Sequence, residues 1–329
     1  MPNGPKIVYP DADIGDDASY KLIFDQLKPY CEFEIHTGRP KNEEEYIQRI
    51  KHADGVLLGW NMPISVMKAA PKLKIISFTG VGAEKFVDLE EAKARQIYVC
   101  NCPGYSDNTV AEHAMALLLA LARQIPVLNA STKSGRWIQP FDQAGFQGIE
   151  LRGKTIGLIG FGGIGMRFAE LCQAFDMEVL VWTRNMSNRN TANHQVQFVE
   201  LDQLYRDSDV ISLHLAATPE TQNFIDETAF KKMMRSPILI NTARGEIIGQ
   251  EALISSLSSG QIRGAALDVF VDEPLPSSDP LAQLDNVILT PHIGYRTPEA
   301  TQTLFNIGVN NLIQFLEGNP INIINNPRK

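Results

Sequence analysis

KTIGLIGFGGIGMRFAELCQAF (154–175) decides the reading of this chain. Its first residues, Lys154 to Gly160, form a short β-branched run that reads as a strand, and Met166 to Phe175 reads as a helix. Between them Gly160-Phe161-Gly162-Gly163-Ile164-Gly165 fits G-x-G-x-x-G. Alone that pattern is weak, because glycine is common. A strand directly before it and a helix directly after it make it informative. The first glycine makes the tight turn, the second lets backbone approach a pyrophosphate, and the third lets helix and strand pack closely. Unpaired N–H groups at the helix N-terminus then face the anion. Gly160, Gly162, Gly163, Ile164 and Gly165 are therefore expected to bind a dinucleotide.

Strand-like runs continue on both sides of this stretch. Downstream lie EVLVW (178–182), DVISLH (209–214), PILIN (237–241), GAALDV (264–269) and NVILT (286–290). Upstream lie KIVYP (6–10), EFEIH (32–36), GVLLG (55–59) and KIISF (74–78), with helical patterns over Asp17 to Leu27 and Glu43 to His52. Alternation of this kind predicts an α/β chain with two doubly wound parallel sheets. At Cys102-Pro103-Gly104 the rhythm breaks, and Asp107 to Arg123 follows as a helix apolar nearly all round. A helix of that kind is buried on several sides, in a core or a subunit interface. The chain closes on an amphipathic helix, Thr297 to Glu317.

Composition removes several classes of function. At 329 residues two domains are expected. The net charge of −8, with no Lys/Arg cluster, argues against a nucleic-acid or anionic-membrane partner. The longest apolar run, Ala114 to Ala122, is far short of the ~20 residues that span a bilayer. The N-terminus lacks a charged-then-apolar leader pattern, so a cytoplasmic location is expected. Cys31, Cys100, Cys102 and Cys172 are too scattered for a disulfide framework, and C-x-C alone is a poor zinc site. No metal is expected.

An NAD-specific loop usually places an acid about 20 residues on, at the end of its second strand, to hold the ribose hydroxyls. Here that strand ends Trp182-Thr183-Arg184-Asn185, with no carboxylate; Asp176 and Glu178 stand at its other end. A hydroxyl followed by Arg suits a 2′-phosphate. Thr183, Arg184 and Asn185 thus favour NADP over NAD, the alternative being that Arg184 is simply solvated.

Three later strands deliver polar residues at their carboxyl ends, where doubly wound sheets bind ligands. ILINTARGE (238–246) supplies Thr242, Ala243 and Arg244; AALDVFVDEP (265–274) supplies Asp268 and Glu273; VILTPHIGY (287–295) supplies His292. Arg suits a carboxylate, His moves one proton near neutral pH, and a neighbouring Glu stabilises imidazolium and fixes its tautomer. Singly, each could be structural; together at successive strand ends they predict a catalytic site. His36, His52, His113 and His194 lack this arrangement and read as structural, while His214, at a strand end, is a second candidate.

With these residues in hand, the sequence resembles the D-isomer-specific 2-hydroxyacid dehydrogenase family, which includes D-lactate and glycerate dehydrogenases and glyoxylate/hydroxypyruvate reductases. SFTGVGAEKFVD (77–88), GYSDNTVAEHA (104–114), the glycine loop, NTARGE, ALDVF with its following EP, and TPHIGY fall in family order over nearly the whole chain. The resemblance implies a Rossmann nucleotide domain, 102–296, inserted in a flavodoxin-like substrate domain, 1–101 plus 297–329. It implies that Arg244 holds the substrate carboxylate and polarises its carbonyl, that His292 is the acid/base, and that Glu273 is its partner. Asp268 matches a residue near the nicotinamide carboxamide, and Thr242-Ala243 a stretch along the cofactor. Val81 and Gly82 match backbone amides that meet the substrate carboxylate, and a homodimer built around the helix near 107–123 is expected.

The related formate dehydrogenases carry Gln where Glu273 stands, so Glu273 points to a hydroxyacid. The resemblance also extends to corepressor-like dinucleotide-sensing interaction proteins of the same fold, the alternative from another class; no partner-binding extension or basic tail favours it. Tyr105, after the hinge, favours a small acid, though hinge packing explains it equally. Trp60 and Asn61 are candidates for the substrate side or plain loop residues. The absence of a C-terminal regulatory domain and of a basic cluster disfavours the long phosphoglycerate dehydrogenases. Glyoxylate or hydroxypyruvate is the expected oxoacid, pyruvate the next.

Overall fold

The protein is described from a computed structural model over residues 4–137, 148–184 and 195–327. The chain divides into two compact units, one running up to Ser106 and resuming at Thr297, the other Asp107–Arg296.

The first unit holds a five-stranded sheet of β1 (Lys6–Ala12), β2 (Glu32–Thr37), β3 (Gly55–Leu58), β4 (Ile75–Phe78) and β5 (Tyr98–Cys100). The order is β2-β1-β3-β4-β5 and every pairing is parallel. Successive side chains of a strand face opposite sides, so unbroken apolar runs mean two buried faces. The cores show it: Val8, Val56, Leu58 and Ile76 enter one cluster, and Ile7, Tyr9, Leu57 and Ile75 the other.

The closing helix, Pro298–Leu316, completes the second of those clusters with Phe305, Val309 and Leu312. Each such side chain contributes roughly 1.5–3 kcal/mol on burial. Thr297 caps the helix by accepting from the Ala300 amide (3.2 Å), and Pro298 sits where no N–H is needed. Buried polar bonds tie the returning segment to the sheet. Ser77 Oγ donates to the Gly308 carbonyl (2.9 Å), and Asn311 Nδ2 donates to the Asn101 carbonyl (2.9 Å). Asn325 accepts from the Val99 amide (3.0 Å) and donates to the Ile97 carbonyl (2.8 Å).

The second unit carries β6 (Thr155–Ile159), β7 (Glu178–Trp182), β8 (Gln197–Phe198), β9 (Val210–Leu213), β10 (Ile238–Asn241), β11 (Gly264–Leu267) and β12 (Val287–Leu289). Its order is β12-β11-β10-β9-β6-β7-β8, again all parallel. Chain direction across the sheet reverses between β6 and β9, and such a switch point opens a crevice at the carboxyl edge. The helix Asp107–Ala122 lies over this sheet. Its Ala111, Ala114, Met115 and Leu118 join Ile156, Leu158, Val210 and Ile240 in one core cluster. Among the described residues no single helix is long and apolar enough to cross a membrane.

Three expectations need correction. The helix read over Asp17 to Leu27 is two single turns, Asp16–Ser19 and Lys21–Phe24, and a 3₁₀ turn, Asp25–Leu27. Tyr20, at φ −114° and ψ 19°, breaks it. The helix read from Met166 begins at Gly163, so half of the glycine loop is already helical. Strands β5 and β8 were not expected; they are three and two residues long, too short to show a period.

Candidate active site

The glycine loop follows directly from β6. Gly160 has φ +100°, a left-handed conformation, and a methyl group there would strike the His214 carbonyl oxygen. Gly162 caps the helix Gly163–Ala174 without any side-chain hydrogen bond, and a methyl there would meet nothing within 4 Å. Gly165 packs so closely that its methyl would lie 2.8 Å from the Gly160 carbonyl oxygen. Turn, open face and close contact are thus distributed over the three glycines. The first amides of a helix have no intrahelical acceptor and can meet an anion.

Beside this loop β7 ends in Trp182, whose indole lies 5.3 Å from the Phe224 ring. Thr183 is buried and Arg184 exposed. No carboxylate follows Trp182 among the described residues; Asn185 lies outside them.

After β10, the buried Asn241 organises the turn that carries Arg244. Its Oδ1 accepts from the Ala243 amide (3.0 Å), and its Nδ2 donates to the Arg244 carbonyl (2.8 Å). Arg244 is half-buried and spends one N–H on the Ala243 carbonyl (2.7 Å). Among the described residues no carboxylate pairs with its guanidinium, so donors remain for an anionic ligand. The Thr242 hydroxyl is buried with no partner among the described residues. That orphan, the unengaged helix N-terminus and the open face at Gly162 fit a bound dinucleotide.

The loop after β11 brings Glu273 back across the edge. Its Oε1 accepts from the Phe270 amide (3.0 Å), and its Oε2 stands 2.8 Å from His292 Nδ1. A carboxylate at Nδ1 holds the proton on that nitrogen, which leaves Nε2 as the working end of the ring. Both side chains are about one-third exposed, at 36% and 37%. His292 itself has φ +52°, which costs about 1–3 kcal/mol for a residue with a side chain and is sustained only by its surroundings.

Asp268 supplies that support. It is 2% exposed, and both carboxylate oxygens are engaged. Oδ1 accepts from the Thr290 hydroxyl (2.6 Å) and the Ile293 amide (3.0 Å), and Oδ2 from the Gly294 amide (2.8 Å). His113 Nε2 stands 3.1 Å from the Thr290 hydroxyl and 3.3 Å from Oδ1. Burial pushes the Asp268 carboxyl up, but the bonds from His113, Thr290 and the two amides outweigh it and hold it below the usual range. His113, read from sequence as merely structural, therefore belongs to the surroundings of the site. No local signal marked it, since its partner Thr290 lies 177 positions away.

His214 is different in kind. Burial lowers its imidazole to about 4, its ring packs 5.4 Å from Phe168, and its carbonyl rather than its ring meets the glycine loop.

In the first unit, the loop after β4 carries Val81 and Gly82. Val81 is 48% exposed, and neither amide N–H has an acceptor among the described residues. The Val81 carbonyl accepts from Asn101 Nδ2 (2.9 Å). Tyr105 is half-buried at the end of this unit. After β3, Trp60 lies under the Arg39 guanidinium, 3.7 Å from its centroid, with Asn61 exposed beside it. Asp11, at the end of β1, accepts from the Gly59 (2.9 Å) and Trp60 (2.7 Å) amides and fixes that loop. Neither Asp11 nor Arg39 was singled out from sequence.

Residues 115–294 match the model for the NAD binding domain of D-isomer specific 2-hydroxyacid dehydrogenases. The chain belongs to that family. It is therefore a nicotinamide-dinucleotide-dependent 2-hydroxyacid dehydrogenase. It is 39% identical over 297 residues to the glyoxylate reductase of Thermofilum pendens, covering 89% of this chain and 87% of that protein. It is 38% identical to the D-3-phosphoglycerate dehydrogenase of Archaeoglobus fulgidus over 95% of this chain but only 59% of that longer protein. Among solved structures it is similar to an NADPH-dependent glyoxylate/hydroxypyruvate reductase from Sinorhizobium meliloti, determined with citrate. The TM-score is 0.82 and the identity 26%, over 97% of each chain.

Proposed function

We propose that this dehydrogenase reduces a small 2-oxoacid, glyoxylate or hydroxypyruvate first and pyruvate second, to the D-2-hydroxyacid, or the reverse. The observation that carries the reading is the 2.8 Å contact between His292 Nδ1 and Glu273 at a sheet edge that also bears a half-buried Arg244 with no carboxylate partner among the described residues. A reduced nicotinamide, when bound, supplies the hydride to the second carbon. Arg244 pairs with the substrate carboxylate and draws charge from the carbonyl. His292 gives the Nε2 proton to the carbonyl oxygen as it gains charge, and takes it back from the hydroxyl in reverse. Glu273 stabilises the imidazolium and holds its tautomer. The unengaged amides of Val81 and Gly82 are proposed as further donors to the carboxylate, with Tyr105 near the small substituent. Orientation of this kind contributes about 7–11 kcal/mol where the bound geometry is near attack.

Gly160, Gly162, Gly163, Ile164 and Gly165 are proposed to hold the pyrophosphate, with Thr242, Ala243 and Asp268 toward the nicotinamide. Thr183 and Arg184, without an acid beside them, support a preference for NADP. In this reading 1–101 plus 297–329 form the substrate domain and 102–296 the nucleotide domain. The working form is a cytoplasmic homodimer. Exposed Ile125 and Val127, directly after the apolar helix Asp107–Ala122, support an interface there.

Initial rates with glyoxylate, hydroxypyruvate and pyruvate, each with NADPH and NADH, test the reading. Fast turnover of one of the first two with NADPH is expected. A strong NADH preference would sink the role of Arg184 while leaving the triad intact. Tight dinucleotide binding without turnover of any oxoacid would sink the catalytic assignment and favour a sensing role.

A further inference from the structure

His292 occupies a backbone conformation that it does not hold by itself. The side chain has one described hydrogen-bond partner, Glu273, and an edge contact with the Tyr295 ring (6.0 Å), and the ring is partly open to solvent. Its own amide donates to the Thr290 carbonyl (3.0 Å), and the two amides that follow, Ile293 and Gly294, tie the main chain to Asp268, each bonded to a different carboxylate oxygen. Asp268 is in turn fixed by its own amide, which donates to the Asn241 carbonyl (2.9 Å). A carboxylate that deep is tolerated only with its lone pairs filled by donors. The two amides fill part of that need, and Thr290 and His113 fill the rest.

The hydrogen-bond directions follow from the chemistry of the groups. Asp268 is held below the usual carboxylate range, so it is ionised and only accepts. Thr290 has one hydroxyl proton, and at 2.6 Å it goes to Asp268. The hydroxyl oxygen can then only accept from His113, and the nearby Oδ1 likewise only accepts. His113 Nε2 therefore carries a proton and donates to both. Gly294 leaves room for this arrangement: a methyl there would lie 2.9 Å from Asp268 Oδ2 and 3.1 Å from His113 Cδ2.

We propose that His113 is a positioning residue for catalysis: its Nε2–H anchors Thr290 and Asp268, and through the amides of residues 293 and 294 it keeps His292 turned so that Nδ1 meets Glu273. The inference rests on His292 being the acid/base of the proposed reaction. It reaches beyond that reading in assigning work to a helix residue that touches neither His292 nor Glu273 among the described contacts. A histidine packed only as core would not affect catalysis apart from stability. One that holds the geometry of a proton donor lowers turnover while leaving ground-state binding alone.

The experiment compares the parent enzyme with His113→Leu, His113→Gln and Thr290→Val. Two readouts are taken: steady-state kinetics, and amide hydrogen exchange of the peptide spanning residues 290–296. His113→Leu is expected to lower kcat by about 10-fold to 100-fold, the scale of a displaced catalytic group, with oxoacid KM and the dinucleotide Kd from direct titration little changed. Exchange at 293–294 should speed up in the same variant. His113→Gln, which keeps a donor at the Nε2 position, should recover most of both. Thr290→Val, which removes the hydroxyl but not the bulk, should behave like His113→Leu and decides the case if that variant does not fold. A kcat within about twofold of the parent in His113→Leu, or a loss that Gln does not recover, overturns the assignment. If the parent itself turns over no oxoacid, the functional reading falls. Exchange then decides alone: unchanged protection at 293–294 overturns the tether, and lost protection supports it.

Discussion

His292 presents Nε2 because Glu273 holds Nδ1, so a substitution that keeps ring-like size but cannot move a proton separates chemistry from binding. His292→Asn is expected to reduce kcat by about 10²–10⁴-fold, the usual worth of a general acid–base, with dinucleotide affinity preserved. Stopped-flow oxidation of the reduced dinucleotide measures it, and turnover near the parent's would remove His292 from the mechanism. Arg244, Glu273 and His292 were all legible in the sequence, because each follows the end of a short apolar strand where the fold puts ligands. The support beneath them was not. The sequence places Asp268 toward the nicotinamide, and nothing in it marks the bonds that Asp268 makes to Thr290, Ile293, Gly294 and His113. His113 sits on a helix whose apolar pattern makes it one more residue of a packed face. Contacts made across so many residues leave no local trace.

Within the glycine loop, strand and helix meet at positions that look interchangeable in the sequence motif and are not. At Gly163 a methyl group meets the end of a side chain, the Asp107 carboxylate, which can turn away. At Gly165 it meets backbone, the Gly160 carbonyl oxygen at 2.8 Å, which cannot move without opening the turn. Alanine also favours a helix over glycine by about 1 kcal/mol, and both residues lie in the helix Gly163–Ala174. Gly163→Ala is therefore expected to leave the melting temperature near the parent's. Gly165→Ala should cost about 1–3 kcal/mol of overpacking and weaken dinucleotide binding. Thermal unfolding with and without dinucleotide reads both, and equal effects of the two variants would contradict the packing argument. Element by element, the β-branched runs were legible because both faces of each sheet are buried, which leaves unbroken apolar stretches between glycines and prolines. Strands β5 and β8 were not, and neither was the break at Tyr20, where polar and apolar residues alternate well enough to imitate one helix.

Across the whole molecule, two buried carboxylates, one in each unit, pull stability in opposite directions with pH. Burial raises Asp11 to about 6, although the Gly59 and Trp60 amides act against it. In the unfolded chain the same group titrates near its ordinary value of about 3.9. The native state thus holds the proton more tightly, so the contribution of Asp11 is fully present below about pH 4 and is lost as pH rises through about 6. A difference of two pKa units corresponds to about 3 kcal/mol. Asp268, held low, behaves oppositely: its contribution is present above the ordinary carboxylate range and lost as pH falls below it. With both groups acting, stability should peak near about pH 4, decline as pH rises through about 6, and level off above about pH 7. Urea unfolding from pH 4 to pH 7 measures the decline. In Asp11→Asn the absolute stability falls, because an amide nitrogen replaces one acceptor of the Gly59 and Trp60 amides. The slope is the discriminating quantity: with no proton to lose at residue 11, the decline between pH 4 and 7 should flatten. A variant as steep as the parent would place the titrating group elsewhere.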